Sequence, residues 1–118
     1  MKDKKINLIE TFANSHPNRK YIIIHEAEEF TSVCPKTGQP DFGKIVISYI
    51  ANKKCVELKS LKYYLQSFRN EGIFYENVTN RILDDLVFKL KPRWMEVKGI
   101  FTNRGGIHST VIATHGKK

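Results

Sequence analysis

The stretch Leu61-Lys62-Tyr63-Tyr64-Leu65-Gln66-Ser67-Phe68 and, beyond Asn70-Glu71-Gly72, the stretch Tyr75-Glu76-Asn77-Val78-Thr79-Asn80-Arg81-Ile82-Leu83-Asp84-Asp85-Leu86-Val87-Phe88-Lys89-Leu90 place two helices in succession with no strand between them. In the first, Leu61, Tyr64, Leu65 and Phe68 fall at i, i+3, i+4 and i+7 and make one apolar stripe, which Asn70-Glu71-Gly72 brings to a stop. In the second, Val78, Ile82, Leu83, Leu86, Val87 and Leu90 share a face until Pro92 ends it. Both helices are amphipathic, so both must cover something. Downstream, residues 94–101 and 107–114 alternate in two-residue steps around Thr102-Asn103-Arg104-Gly105-Gly106, the pattern of a hairpin with a glycine-permissive tip. Upstream, residues 20–27 and 44–51 are rich in β-branched and aromatic side chains and read as two more strands. A turn at residues 52–54 leads to a short extended piece, 55–58, and a polar lead containing Ser15-His16-Pro17-Asn18 precedes everything. The order ββααββ predicts an α+β domain: an antiparallel four-stranded sheet with two helices on one face. Such a sheet has two open edges, which need protection or a partner, and closing it edge to edge in a ring is one solution.

With 118 residues there is room for one core, so a single domain over residues 1–118 is expected and a two-domain enzyme is excluded. Twenty Lys and Arg against twelve Asp and Glu give a net charge of +8, which suits a polyanionic partner: nucleic acid, an acidic membrane surface or a phosphate-rich small molecule. The same excess can serve solubility alone. No apolar run of secretory-signal length follows the basic residues Lys2, Lys4 and Lys5, and no stretch approaches the ~20 apolar residues that a membrane span needs. Export and membrane insertion are not expected. Cys34 and Cys55 are therefore read as reduced thiols of a cytoplasmic protein.

Between the first two strands, residues 31–43 carry two prolines and two glycines and read as a loop. Cys34 sits there, next to Pro35 and Lys36, with Asp41 seven positions on. A thiolate is the strongest nucleophile in this chain's inventory, although a cysteine is also an ordinary small core residue. Asp41, after Pro40, is either a turn residue whose side chain caps local backbone or an acid that protonates an atom made basic by thiolate addition. Glu76 near a helix N-terminus is favoured by the dipole, or it recognises a planar heterocycle through two adjacent N–H donors, as on the edge of guanine. The four histidines, His16, His25, His108 and His115, lack metal-ligand spacing with one another or with the cysteines, so no metal is expected. Neither phosphate-binding glycine motif of the nucleotide folds is present. Arg104-Gly105-Gly106, Lys59 and Lys62 are the pieces suited to phosphate, and they are equally an ordinary hairpin tip and a solvated helix face.

The run Glu57-Leu58-Lys59-Ser60-Leu61-Lys62-Tyr63-Tyr64 resembles the E-(S/L)-K-(S/A)-x-K-(L/Y)-(Y/F/W) motif of the NADPH-dependent 7-cyano-7-deazaguanine reductases. Ser32-Val33-Cys34-Pro35-Lys36-Thr37-Gly38-Gln39-Pro40-Asp41-Phe42 is similar to that family's nucleophile loop, and Ser67-Phe68-Arg69-Asn70, Phe74-Tyr75-Glu76 and Phe101-Thr102-Asn103-Arg104-Gly105-Gly106 fit in order. The resemblance implies a tunnelling fold whose sheets close into barrels by ring assembly, for this short form as a homo-oligomer of two stacked pentamers with sites between subunits. It implies reduction of the nitrile of 7-cyano-7-deazaguanine to an aminomethyl group in queuosine biosynthesis, with NADPH and a covalent cysteine thioimide. Carried over by position, Cys34 is the nucleophile and Asp41 the proton donor. Val56, Glu57, Leu58, Tyr75 and Glu76 bind substrate, with Glu76 on its guanine-like edge. Leu58, Lys59, Arg104 and Gly105 contact NADPH. Tyr75 is a departure, since many members have His there, and a tyrosine is no cation near neutral pH. Direct nucleic-acid binding and a metal are not implied. The competing readings are a noncatalytic basic nucleotide- or RNA-binding module, and a zinc-dependent GTP cyclohydrolase-like enzyme of the same fold.

Overall fold

Both central helices form where the apolar spacing predicts them. In the computed structural model, which describes residues 4–118, α1 spans Leu58–Gln66 and α2 spans Tyr75–Leu90. Lys2 of the basic N-terminal run lies outside the described residues. Helix α1 begins three residues before Leu61, the first member of its apolar stripe, because of Glu57 rather than any hydrophobic signal. Both Glu57 carboxylate oxygens accept backbone N–H groups of the first turn, Oε2 from Lys59 at 2.9 Å and Oε1 from Ser60 at 2.8 Å. Helix α2 ends in a left-handed residue, Lys91 at φ 47°, directly before Pro92.

Among the described residues the strands are β1 (Thr11–Ala13), β2 (Ile23–Val33), β3 (Pro40–Ile50), β4 (Lys54–Val56), β5 (Trp94–Arg104) and β6 (Ile107–Gly116). The main sheet is antiparallel in the order β2-β3-β5-β6, as the ββααββ reading requires. A second, two-stranded sheet, β1 with β4, was not foreseen, since Thr11-Phe12-Ala13 is too short to show a period. A 3-10 turn at Lys5–Leu8 precedes it. Ile45, Ile47 and Tyr49 of β3 and Met95, Val97 and Phe101 of β5 pack against Tyr64, Phe68, Val78, Ile82 and Leu86, all buried. Burying each such aliphatic side chain contributes roughly 1.5–3 kcal/mol, so this helix-on-sheet layer is the main source of stability. The opposite face of the sheet leaves Ile24, Ile100 and Ile112 exposed. Among the described residues no helix is long and apolar enough to cross a membrane.

The expected boundaries of the first hairpin need correction. Residues 31–43 read as a loop, but β2 runs on to Val33 and β3 already starts at Pro40, so only residues 34–39 turn. Prolines and glycines at these positions suggest irregular chain, yet Pro40 is tolerated as the first residue of a strand. Asp41 is consequently a strand residue, buried at 4% exposure, and not the turn-capping residue that its Pro-Asp context suggests.

Candidate active site

Two irregularities in the main sheet decide which side chains meet at its end. In β2, Ala27 lies opposite Ile45 and Phe30 opposite Gly43, so three steps along β2 match two along β3. This extra residue, at Glu28-Glu29, is a β-bulge, and it moves the inward-facing set from Ile23, His25 and Ala27 to Phe30 and Ser32. Beyond the bulge the two-residue alternation carries on to Cys34. In β5, Phe101 faces Ser109 and Arg104 faces Ile107, again three steps against two. That second bulge turns Arg104 inward, where Asn103 would otherwise sit.

The result is a polar cluster where β2, β3, β5 and the start of α2 converge. Asp41 Oδ1 accepts the Tyr75 hydroxyl at 3.1 Å and pairs with the Arg104 guanidinium Nη1. The Tyr75 ring is fixed by stacking on Phe101, with centroids 3.9 Å apart and planes 5° from parallel. Gly43 makes room for that stack, because a Cβ there would lie 2.8 Å from the Ile100 carbonyl oxygen and 2.9 Å from Phe101 Cδ1. The connection before α2 is strapped to the end of β2: the Val33 N–H donates to the Glu71 carbonyl at 2.9 Å and the Ile73 N–H to the Val33 carbonyl at 3.0 Å. Tyr75 is thereby held beside the cysteine turn. Residues 34–39 close on themselves through the Cys34 N–H to the Gln39 carbonyl and the Gly38 N–H to the Cys34 carbonyl, both 2.9 Å.

Cys34 itself is half-buried. The Thr37 hydroxyl, the backbone N–H groups of Thr37 and Lys36, and Arg104 all favour its thiolate, and together they pull its pKa from 9.0 to about 7. Arg104 is held more firmly charged by its contacts with Tyr75, Asp41 and Cys34. Burial raises the Tyr75 pKa, so its phenol stays a neutral donor near neutral pH. The cluster therefore holds a nucleophile beside a buried carboxyl that Tyr75 and Arg104 orient, which suits addition to an electrophilic carbon with proton transfer at the neighbouring atom.

The other residues singled out in the sequence lie elsewhere. Glu76 is exposed in the first turn of α2, next to Tyr75 in the chain. Val56 is buried, and its N–H donates to the Tyr49 hydroxyl at 3.0 Å. Leu58 is 61% exposed at the start of α1, Lys59 beside it is exposed, and the carboxylate of Glu57 is committed to capping that helix. Among the described residues no hydrogen bond or ion pair joins the group from Val56 to Lys59 to the Cys34 cluster. Gly105, at φ 60° in the hairpin turn, has open space around it. Cys55 is buried. No group of three or more His, Cys, Asp and Glu that could hold a metal ion is found among the described residues. Sequence reasoning missed Ser32, Thr37 and Phe101 as members of the cluster. The signal for Ser32 and Cys34 was the alternation Phe30, Ser32, Cys34, hidden because it is out of phase with the strand before the bulge.

Residues 40–118 match the family described as QueF-like protein. A Chloroherpeton thalassium protein named NADPH-dependent 7-cyano-7-deazaguanine reductase is 61% identical over 111 residues, covering 94% of this chain and 96% of its own. Proteins with the same name from Rhodopirellula baltica (59% over 107 residues, 91% and 88% covered) and an Anaeromyxobacter species (55% over 118 residues, 100% and 97% covered) are also similar. Among solved structures, the apo crystal structure of the archaeosine synthase QueF-Like superposes with a TM-score of 0.77 at 20% identity, covering 82% of this chain and 95% of that one. That likeness is one of fold.

Proposed function

The chain belongs to the QueF-like family of NADPH-dependent 7-cyano-7-deazaguanine reductases, and from that membership we propose that it reduces the nitrile of 7-cyano-7-deazaguanine to an aminomethyl group through a thioimide on Cys34. The observation that carries this reading is the meeting of Cys34, with its thiol pKa near 7, and the buried Asp41 around Arg104. A nitrile carbon is electrophilic but a poor direct hydride acceptor. Cys34 Sγ adds to that carbon, the C≡N π pair moves to nitrogen, and Asp41 gives the nitrogen a proton. NADPH, when bound, supplies the two hydrides that a four-electron reduction of nitrile to amine requires. Cys34 leaves as thiolate once its carbon has been reduced, as the nitrogen lone pair re-forms a C=N bond. Asp41, reprotonated from solvent after the first transfer, gives the nitrogen its second proton in the last step. Tyr75 keeps the carboxyl oriented by donating to it.

Lys59 and Gly105 fit the cofactor: one is an exposed cation at a helix start, the other an open, left-handed backbone position where a phosphate can approach. Arg104, with 41% of its side chain exposed, holds Asp41 through Nη1, and its guanidinium has further N–H donors with which to meet a phosphate. Within one chain the segment from Val56 to Lys59 is not bonded to the Cys34 cluster, which supports a site completed by a neighbouring copy. A cytoplasmic homo-oligomer of two stacked pentamers meets that need and also pairs the open edges β2 and β6. The test is intact-mass analysis after incubation with 7-cyano-7-deazaguanine and no NADPH. Wild type is expected to gain one covalently bound substrate per chain and Cys34→Ala none. An unmodified wild type, or an equally modified Cys34→Ala, overturns the mechanism.

A further inference from the structure

Among the described residues, the Ser32 Oγ is the one buried side-chain polar atom with no hydrogen-bond partner. Ser32 is 0% exposed, so solvent does not compensate it. An uncompensated buried hydroxyl is costly, and such groups in native proteins call for an explanation. Its position supplies one. Ser32 lies directly opposite Asp41 in the β2–β3 register, and both are buried on the helix side of the sheet. Directly opposed residues in an antiparallel pair have Cβ atoms about 4.5–5.5 Å apart, which is within reach of an O–H···O bond between these two side chains. Tyr75 and Arg104 both contact the same oxygen of Asp41, Oδ1, and among the described residues no protein group bonds to Oδ2. An unused donor thus faces a carboxyl that has an unused acceptor. The terminal torsion of an aspartate is broad, so a modest rotation brings the two together.

We propose that Ser32 is a positioning residue for Asp41, donating to one carboxyl oxygen so that the other points at the substrate nitrogen. The proposal rests on the thioimide reading above. When a nitrile nitrogen docks on Asp41 it competes with Arg104 for Oδ1, and the carboxyl needs another anchor to stay aimed. Ser32 provides it, from the same inward-facing run that carries Cys34 two residues later, so one strand end orients both the acid and the nucleophile. The bulge at Glu28-Glu29 is what turns this run inward.

The test compares wild type, Ser32→Ala, Asp41→Ala and the double variant in single-turnover adduct formation with 7-cyano-7-deazaguanine, followed by intact mass, together with thermal melting. Ser32→Ala is expected to melt at the same temperature as wild type or a few degrees higher, since it removes an unpartnered hydroxyl, yet to form adduct about tenfold more slowly. In the Asp41→Ala background the same substitution is expected to change the rate less than twofold. A Ser32→Ala variant as fast as wild type overturns the proposal. So does an equal slowing with and without the Asp41 carboxyl, or a fall of several degrees in melting temperature, which marks a hydroxyl already bonded in the free protein. Absence of adduct in wild type instead overturns the thioimide reading itself.

Discussion

Asp85 and Asp41 are both buried, and each accepts from a tyrosine hydroxyl and an arginine: Asp85 from Tyr64 at 2.6 Å and Arg81 at 2.7 Å, Asp41 from Tyr75 at 3.1 Å and Arg104. The same three residue types are put to different uses. Arg81 stands one turn before Asp85 on α2 and lies over the Phe68 ring, so the first cluster ties α2 to α1. Asp41 draws its partners from α2 and from the far end of β5, and Arg104 also faces the Cys34 thiol. A tyrosine, an aspartate and an arginine in contact do not by themselves mark a reactive site. The adjoining thiol, the origin of the partners in separate elements, and the unpartnered hydroxyl of Ser32 do.

The largest effect that can break this comparison comes from the two aspartates. Asp41→Asn is expected to lower turnover by at least about 100-fold, the usual scale of a lost general acid, with a smaller loss of urea midpoint than Asp85→Asn because its partner Arg104 is 41% exposed and can turn to solvent. Asp85→Asn is expected to do the reverse, costing about 2–3 kcal/mol in urea unfolding with turnover of the folded protein within about twofold, because charged hydrogen bonds are lost between helices. Equal losses of activity in the two variants would erase the distinction.

The tyrosines sharpen it at smaller scale. Tyr75→Phe keeps the stack on Phe101 but removes the donor, and a lost hydrogen bond of about 1 kcal/mol corresponds to roughly fivefold slower adduct formation. Tyr64→Phe is expected to leave that rate unchanged and to cost about 1 kcal/mol in stability. Quench-flow and urea titration of the same two proteins separate the effects.

The least perturbing test is of acidity. With a Cys34 pKa of about 7, alkylation by iodoacetamide is expected to be level above that pH and to fall about tenfold per unit below it, because the thiolate is the reacting form. Thr37→Val removes the largest cause of the shift, so the midpoint moves up toward 9.0. Peptide mapping assigns the reaction to Cys34, since Cys55 is buried. A midpoint that ignores Thr37 would mean that the thiolate is held by other groups.

Much of the architecture was legible from local signals. Helix α2 occupies the residues its apolar spacing and Pro92 indicate, and the second hairpin turns at Gly105-Gly106 as its glycines require, with φ 60° and 84°. Helix α1 takes in Leu58, which reads as the end of an extended piece, because its first turn is held by the Glu57 side chain, a polar interaction that leaves no hydrophobic period, and it ends at Gln66, before Phe68 of its apolar stripe. The nucleophile loop was read too long, since Pro40 can open a strand as readily as it can sit in a turn. Cys34, Asp41 and Arg104 were all singled out from the chain, but their contact was not. It requires an inserted residue in β2 and another in β5, and a bulge is a mismatch between two strands that neither strand states alone.

By itself, then, the sequence determined the element order, the amphipathic faces and, through its motifs, the family, because each of these depends on residues close together in the chain. Tertiary structure alone decided that Asp41 is buried rather than in a turn, that Tyr75 and Arg104 share one of its oxygens, and that Ser32 faces it without a partner. Those facts depend on strand register, and register is set by pairing across the sheet between residues far apart in the chain.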